Sequence, residues 1–168
     1  MDFPPLCVSG SLVSTMESLL SPSQDAPLLI VGGKSLVRHF LLKGYRVDTA
    51  PVAGRSYGAI ITMDSLPKKE PEALSFLVGL SSTLVAGAPL YIIEQSNPLT
   101  GRRGLLVRVL SLFGFLHTPE QLNRLFLKAG FTGISQRWPQ GLRSLVVTWG
   151  TPHPLASSLH QILSLTRK

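Results

Sequence analysis

The chain has 168 residues, with sixteen Lys or Arg against nine Asp or Glu and a formal charge of +7. Only 15% of its residues are charged while 44% are apolar, the reverse of a disordered composition, so one domain with a substantial core is expected. A pI near 10.1 invites an acidic partner, yet the bases are scattered and no basic stripe is interleaved with aromatics, so no nucleic-acid partner is expected.

Residues 1–26 form a loosely patterned N-terminal segment. Asp2 stands where a secretory leader would carry bases ahead of an apolar run. Cys7 is the single cysteine, which excludes an internal disulfide and a Cys-rich metal site and suits a reduced, cytoplasmic setting. Leu12, Val13, Met16, Leu19 and Leu20 recur at helical spacing over residues 9–20, and Pro22 closes the run. Residues 27–33, Pro-Leu-Leu-Ile-Val-Gly-Gly, read as a strand buried on both faces that ends in a glycine turn. A helix over 35–43 places Leu36, Val37, Phe40 and Leu41 on one face and stops at Gly44. Strands are expected at 45–52 and 57–63. A helix over 70–86 follows, opened by acids that suit its positive end and closed by Gly87.

A fourth strand is expected over 89–94. The apolar segment 105–116 is interrupted by Arg108 and is shorter than the ~20 residues that span a bilayer, so no transmembrane segment is expected. Thr118-Pro-Glu-Gln121 combines a capping Thr, Pro in the first helical turn and Gln three residues on, the pattern of a capping box. That helix ends at Gly130. Strands over 132–138 and 142–149 are separated by a hairpin-length Pro-Gln-Gly, and residues 151–168 carry Leu155, Leu159, Ile162 and Leu163 at helical spacing.

Strands alternating with helices imply a mostly parallel sheet with right-handed crossovers, and the hairpin adds an antiparallel strand at or near an edge. The expected fold is a three-layer α/β/α sandwich with ligand space beyond the carboxyl ends of the central strands. The chain divides into an N-terminal segment (1–26), the sandwich (27–150) and a helical tail (151–168) packed on it.

Three stretches carry a resemblance to the class I S-adenosylmethionine-dependent methyltransferases, small-molecule type. They are Leu28-Leu-Ile-Val-Gly-Gly-Lys34 through Asp48, residues 56–66 (Ser-Tyr-Gly-Ala-Ile-Ile-Thr-Met-Asp-Ser-Leu), and residues 118–131, whose helix ends in Ala-Gly-Phe. The resemblance implies a Rossmann-like fold, S-adenosylmethionine as cofactor, and methyl transfer to a small, apolar acceptor. It places Gly32, Gly33, Asp48, Met63, Asp64 and Glu94 around the cofactor. Two positions depart from the family. Its first strand ends in an acid and Gly-x-Gly-x-Gly, where this chain has Ile30-Val-Gly-Gly-Lys34. The acid that holds the ribose hydroxyls falls near Ala50-Pro51, with Asp48 a few residues early.

Each candidate has a plainer alternative. Gly32 and Gly33 would line a cofactor crevice or supply a tight strand-to-helix turn. Lys34-Ser35 lacks the earlier glycine of a phosphate loop, and Lys34 suits an exposed helix start. Asp64 would accept from a ligand or cap a turn. Glu94 would face the crevice or pair with Arg102 or Arg103. His39, His117, His153 and His160 show no metal-ligand spacing, so no metal is expected. Only His117 stands where it would serve as a base for an acceptor hydroxyl.

Two functions follow. One is a divergent methyltransferase with a small-molecule acceptor. The other is a methyltransferase-fold module without cofactor binding, which contacts a protein partner, a membrane surface or a second copy through 105–116.

Overall fold

The computed structural model describes residues 10–20, 26–95, 117–140, 142 and 145–154. Helix α1 spans Gly10–Leu19, strand β1 Leu28–Val31, helix α2 Lys34–Leu42 and strand β2 Val47–Asp48. Strand β3 spans Ala59–Met63, helix α3 Glu70–Ser81 and strand β4 Leu90–Gln95. Helix α4 (Pro119–Lys128) and strands β5 (Phe131–Arg137) and β6 (Leu145–Pro152) complete the described elements. The expected segment 105–116 lies outside the described residues, as does the tail beyond Pro154.

The six strands form one sheet in the order β2-β1-β3-β4-β6-β5. β1 through β4 are parallel, while β6 runs antiparallel to both β4 and β5. β6 therefore sits inside the sheet and β5 forms the edge. The burial patterns follow this order. β3 is buried at every position, as an apolar strand covered on both faces must be. β5 alternates between a buried start and mostly exposed residues, as an edge strand does.

Two apolar layers sandwich the sheet. On one face α1 and α2 bring Leu12, Met16, Leu36 and Phe40 onto Leu28, Ile30, Ile61 and Ile93. On the other, α3 and α4 bring Leu77, Leu80, Leu122 and Phe126 onto Leu29, Ile60, Ile92 and Val146. Strand alternation puts successive residues of β1, β3 and β4 on opposite faces, which is why one apolar run supplies both cores. Glu17 of α1 ties the first pair of helices together, accepting from His39 at 2.9 Å and facing Lys43 at 3.2 Å.

Three expected spans are shorter than the pattern implied. β2 reduces to Val47–Asp48, because the chain leaves the sheet at Thr49-Ala50-Pro51 and proline cannot donate to a ladder. β3 begins at Ala59, since Tyr57 turns aside to bridge Leu84. α3 ends at Ser81, where Thr83 and Leu84 take up the last carbonyls in turns. The capping box of α4 forms as expected: the Gln121 N–H donates to Thr118 Oγ1 at 3.2 Å, and the Thr118 N–H to Gln121 Oε1 at 2.8 Å. No helix among the described residues is long and apolar enough to cross a membrane.

Candidate functional site

The carboxyl ends of β1, β3 and β4 lie side by side, so their last residues and following turns form a common crest. At β1 the crest is a left-handed turn, with φ of 81° at Gly32 and 61° at Gly33, which also starts α2. Packing makes Gly32 necessary and leaves little room at Gly33. A Cβ on Gly32 would lie 2.6 Å from the Met63 carbonyl oxygen, and one on Gly33 would lie 2.9 Å from Met63 Sδ. Met63 thus belongs to the wall beneath the glycine turn, buried among the α1/α2 core.

Asp48 stands lower. In the β1/β2 ladder it is level with Leu29, two residues before the end of β1. Its carboxylate is already occupied. Arg55 Nη1 donates to Oδ1 at 3.1 Å and to Oδ2 at 2.9 Å, and the Tyr57 hydroxyl donates to Oδ2 at 3.0 Å. Tyr57 in turn accepts the Val52 N–H at 3.0 Å. These bonds fasten the 49–58 crossover down against the sheet. An open cleft of about 490 Å³ lies beneath this loop, lined by Pro27, Arg46 and residues 52–56. Because Pro27 and Arg46 precede β1 and β2, the cleft opens toward the amino ends of the strands, away from the crest.

The ionisable groups gather at β3 and β4. Asp64, directly after β3, is exposed and is the sole non-glycine residue with positive φ (49°) among those described. Its N–H donates to the Ile93 carbonyl at 3.1 Å, holding the turn against β4. Glu94, the last residue but one of β4, is 1% exposed. One oxygen accepts the Leu66 N–H at 3.3 Å, and the other faces Lys68 Nζ at 3.8 Å. Burial raises the Glu94 pKa to about 7, against the opposing Lys68 charge and with a further upward push from Asp64.

His117, just ahead of the α4 cap, is 7% exposed, and its Nδ1 has no hydrogen-bond partner among the described residues. Burial, reinforced by Lys68, lowers its pKa to about 4. His117 is therefore neutral at physiological pH and only a weak base there. Thr62 points to the same face of the sheet as Glu94, and its buried hydroxyl also lacks a partner among the described residues.

The sequence-derived candidates thus divide. Asp64, Glu94 and His117 all lie within electrostatic reach of Lys68, whereas Gly32, Gly33 and Met63 pack together at the neighbouring strand ends and Asp48 is tied into the crossover. Sequence reasoning missed Lys68, whose place in the Pro67-Lys-Lys loop carries no motif. It also missed Arg55 and Tyr57, whose spacing from Asp48 has meaning only once the crossover is folded. The Arg102 and Arg103 partners considered for Glu94 lie outside the described residues; Lys68 supplies the cation seen there. No group of three or more His, Cys, Asp or Glu suited to a metal occurs among the described residues.

The sequence matches no family model and no curated protein. Solved structures do match in three dimensions. Human N-acetylserotonin methyltransferase in complex with SAM aligns with a TM-score of 0.61 at 14% identity, over 84% of this chain and 50% of that one. The pyocyanin biosynthetic protein PhzM aligns at 0.60 and 14% identity, over 84% and 54%. The S-adenosylmethionine-dependent methyltransferase SibL, in its apo form, aligns at 0.54 and 16% identity, over 85% and 56%. The chain spans about half the length of these structures. Its fold is that of the S-adenosylmethionine-dependent methyltransferases.

Proposed function

We propose that this chain is a divergent methyltransferase-like protein that keeps a cluster of ionisable groups at the ends of β3 and β4 and has rebuilt the part of the fold that would grip S-adenosylmethionine. The observation that carries this reading is the state of Asp48. A carboxylate takes both hydroxyls of a ribose only with acceptor capacity on each oxygen; here Arg55 and Tyr57 fill Oδ2, and Arg55 takes one of the two places on Oδ1. Freeing Asp48 would also release the crossover that those bonds anchor. At the end of β1 the chain offers Val31 and then Lys34, so no carboxylate is present there to receive the cofactor's amino group. The residues on hand therefore do not fit the cofactor at these two points.

On this reading the protein is a small-molecule binding or assembly module on a methyltransferase scaffold. Titration calorimetry of the full chain with S-adenosylmethionine and S-adenosylhomocysteine tests it. No heat of binding up to millimolar ligand is expected, and micromolar affinity for either would overturn the proposal. Such affinity would favour the second reading, methyl transfer to a small acceptor. That reading is supported by the glycine turn at Gly32-Gly33 and by the ionisable groups beside it. Catalysis would then rest on holding donor and acceptor in line, which lowers barriers by several kcal/mol.

A further inference from the structure

We infer that Glu94, rather than His117, is the residue of this crevice that exchanges a proton with a bound ligand, and that the ligand presents an O–H or N–H donor at the end of β4. The inference rests on the strand-end crevice being the ligand site, and it holds with or without methyl transfer.

Three features carry it. Glu94 is buried, yet both its contacts among the described residues are long: 3.3 Å to the Leu66 N–H and 3.8 Å to Lys68 Nζ. Each carboxylate oxygen can accept two hydrogen bonds, so the described residues leave acceptor capacity over on a buried group. The surroundings then set the charge. Asp64 and Lys68 face Glu94 from the loop after β3, while its cross-strand neighbour on β6 is the apolar Val146. Lys68 is the one cation named among these described groups. Finally, His117 is doubly disfavoured as a proton acceptor, by burial and by the same Lys68. An efficient acid or base has its two protonation states close in energy at working pH. With a pKa near 7 Glu94 meets that condition, and with a pKa near 4 His117 does not. Neighbouring groups pushed in opposite directions commonly mark the division of roles in a site.

The transfer balances without a co-reactant. The O–H or N–H bond of the ligand breaks, its electron pair stays on the heteroatom, and a new O–H bond forms on Glu94. From a hydroxyl the resulting oxyanion is met by the Lys68 ammonium as Glu94 becomes neutral. From an ammonium group the ligand is left as a neutral amine.

The test uses the full chain with carboxyl-labelled glutamate, followed by NMR from pH 4 to 9. One resonance should titrate near 7 and be absent in Glu94→Gln. Lys68→Met should move that midpoint upward by about one pH unit, and the His117 ring should stay neutral down to about pH 4. Phenol and benzylamine, each bearing a donor, should shift the Glu94 signal and its midpoint, while toluene of similar shape should not. A Glu94 midpoint in the ordinary carboxylate range, indifference to Lys68→Met, or His117 titrating between 6 and 7 would each overturn the inference. So would an equal response to all three probes, or none to the two donors. Lys68→Met keeps the test open should Glu94→Gln fail to fold. Calorimetry with S-adenosylmethionine reads the other crevice wall, so failure of the proposed function is seen separately.

Discussion

Replacing Glu94 with Gln should raise stability above neutral pH and leave it nearly unchanged in acid. In the folded chain this carboxyl titrates at about 7, against 4.5 for an unburdened glutamate. A raised pKa means the folded state holds its proton longer than the unfolded chain does. Stability is therefore highest below pH 4.5 and falls as pH rises, reaching a loss of about 3 kcal/mol once pH passes 7. His117 works in the opposite sense. Its pKa is lowered from 6.5 to about 4, so its contribution is intact above 6.5 and falls by about 3 kcal/mol as pH drops toward 4.

The two gradients cover nearly the same window with opposite signs, so in the native chain they largely cancel and each single variant unmasks the other. In Glu94→Gln the amide oxygen can still accept the Leu66 N–H, and the shift to about 7 is already net of the attraction to Lys68, so nothing further is subtracted. The variant should therefore be more stable than the native chain by about 3 kcal/mol at pH 8, or roughly 6–12 °C in Tm for a chain of this size. Urea unfolding of both proteins from pH 4 to 9 is the assay, and the difference between the curves removes every titration the two share. Parallel curves across pH 5–8 would refute the reasoning, because a carboxyl titrating normally contributes no such difference.

Two further substitutions probe the scaffold. Gly32→Ala places a methyl 2.6 Å from the Met63 carbonyl in a backbone with φ of 81°; it should cost about 3 kcal/mol in denaturant unfolding, and a loss under about 1 kcal/mol would contradict the close approach of β1 to β3. Tyr57→Phe removes the hydroxyl that donates to Asp48 and accepts from Val52; about 1–2 kcal/mol should be lost, with faster amide exchange over residues 49–58, whereas unchanged exchange would show the crossover to be held by other contacts.

Much of the fold was legible from local pattern. Apolar runs such as Leu28–Val31 and Ala59–Met63 are buried on both faces wherever helices cover a parallel sheet, so their alternation with helical periods implied the architecture directly. The Thr118/Gln121 capping box was equally readable, because its hydrogen bonds close within four residues. What local pattern missed was where β2 and α3 end, since those limits depend on Pro51 leaving the ladder and on Tyr57 bridging Leu84 from across the fold.

The sequence by itself determined the fold class, the helix start at Thr118 and a short roster of acids at strand ends, because short-range chemistry and hydrophobic periodicity act within a few residues. Tertiary structure decided what those acids can do. Asp48 and Glu94 both read as carboxylates at or next to the carboxyl ends of parallel strands. Asp48 meets Arg55 and Tyr57 in a bonded tie, while Glu94 is enclosed with long contacts to Leu66 and Lys68. The energy of a charge depends on the dielectric and partners brought around it, and those come from elements distant along the chain. Of the nine acids counted at the outset, folding thus gives these two unlike surroundings, one bonded into a loop and one enclosed.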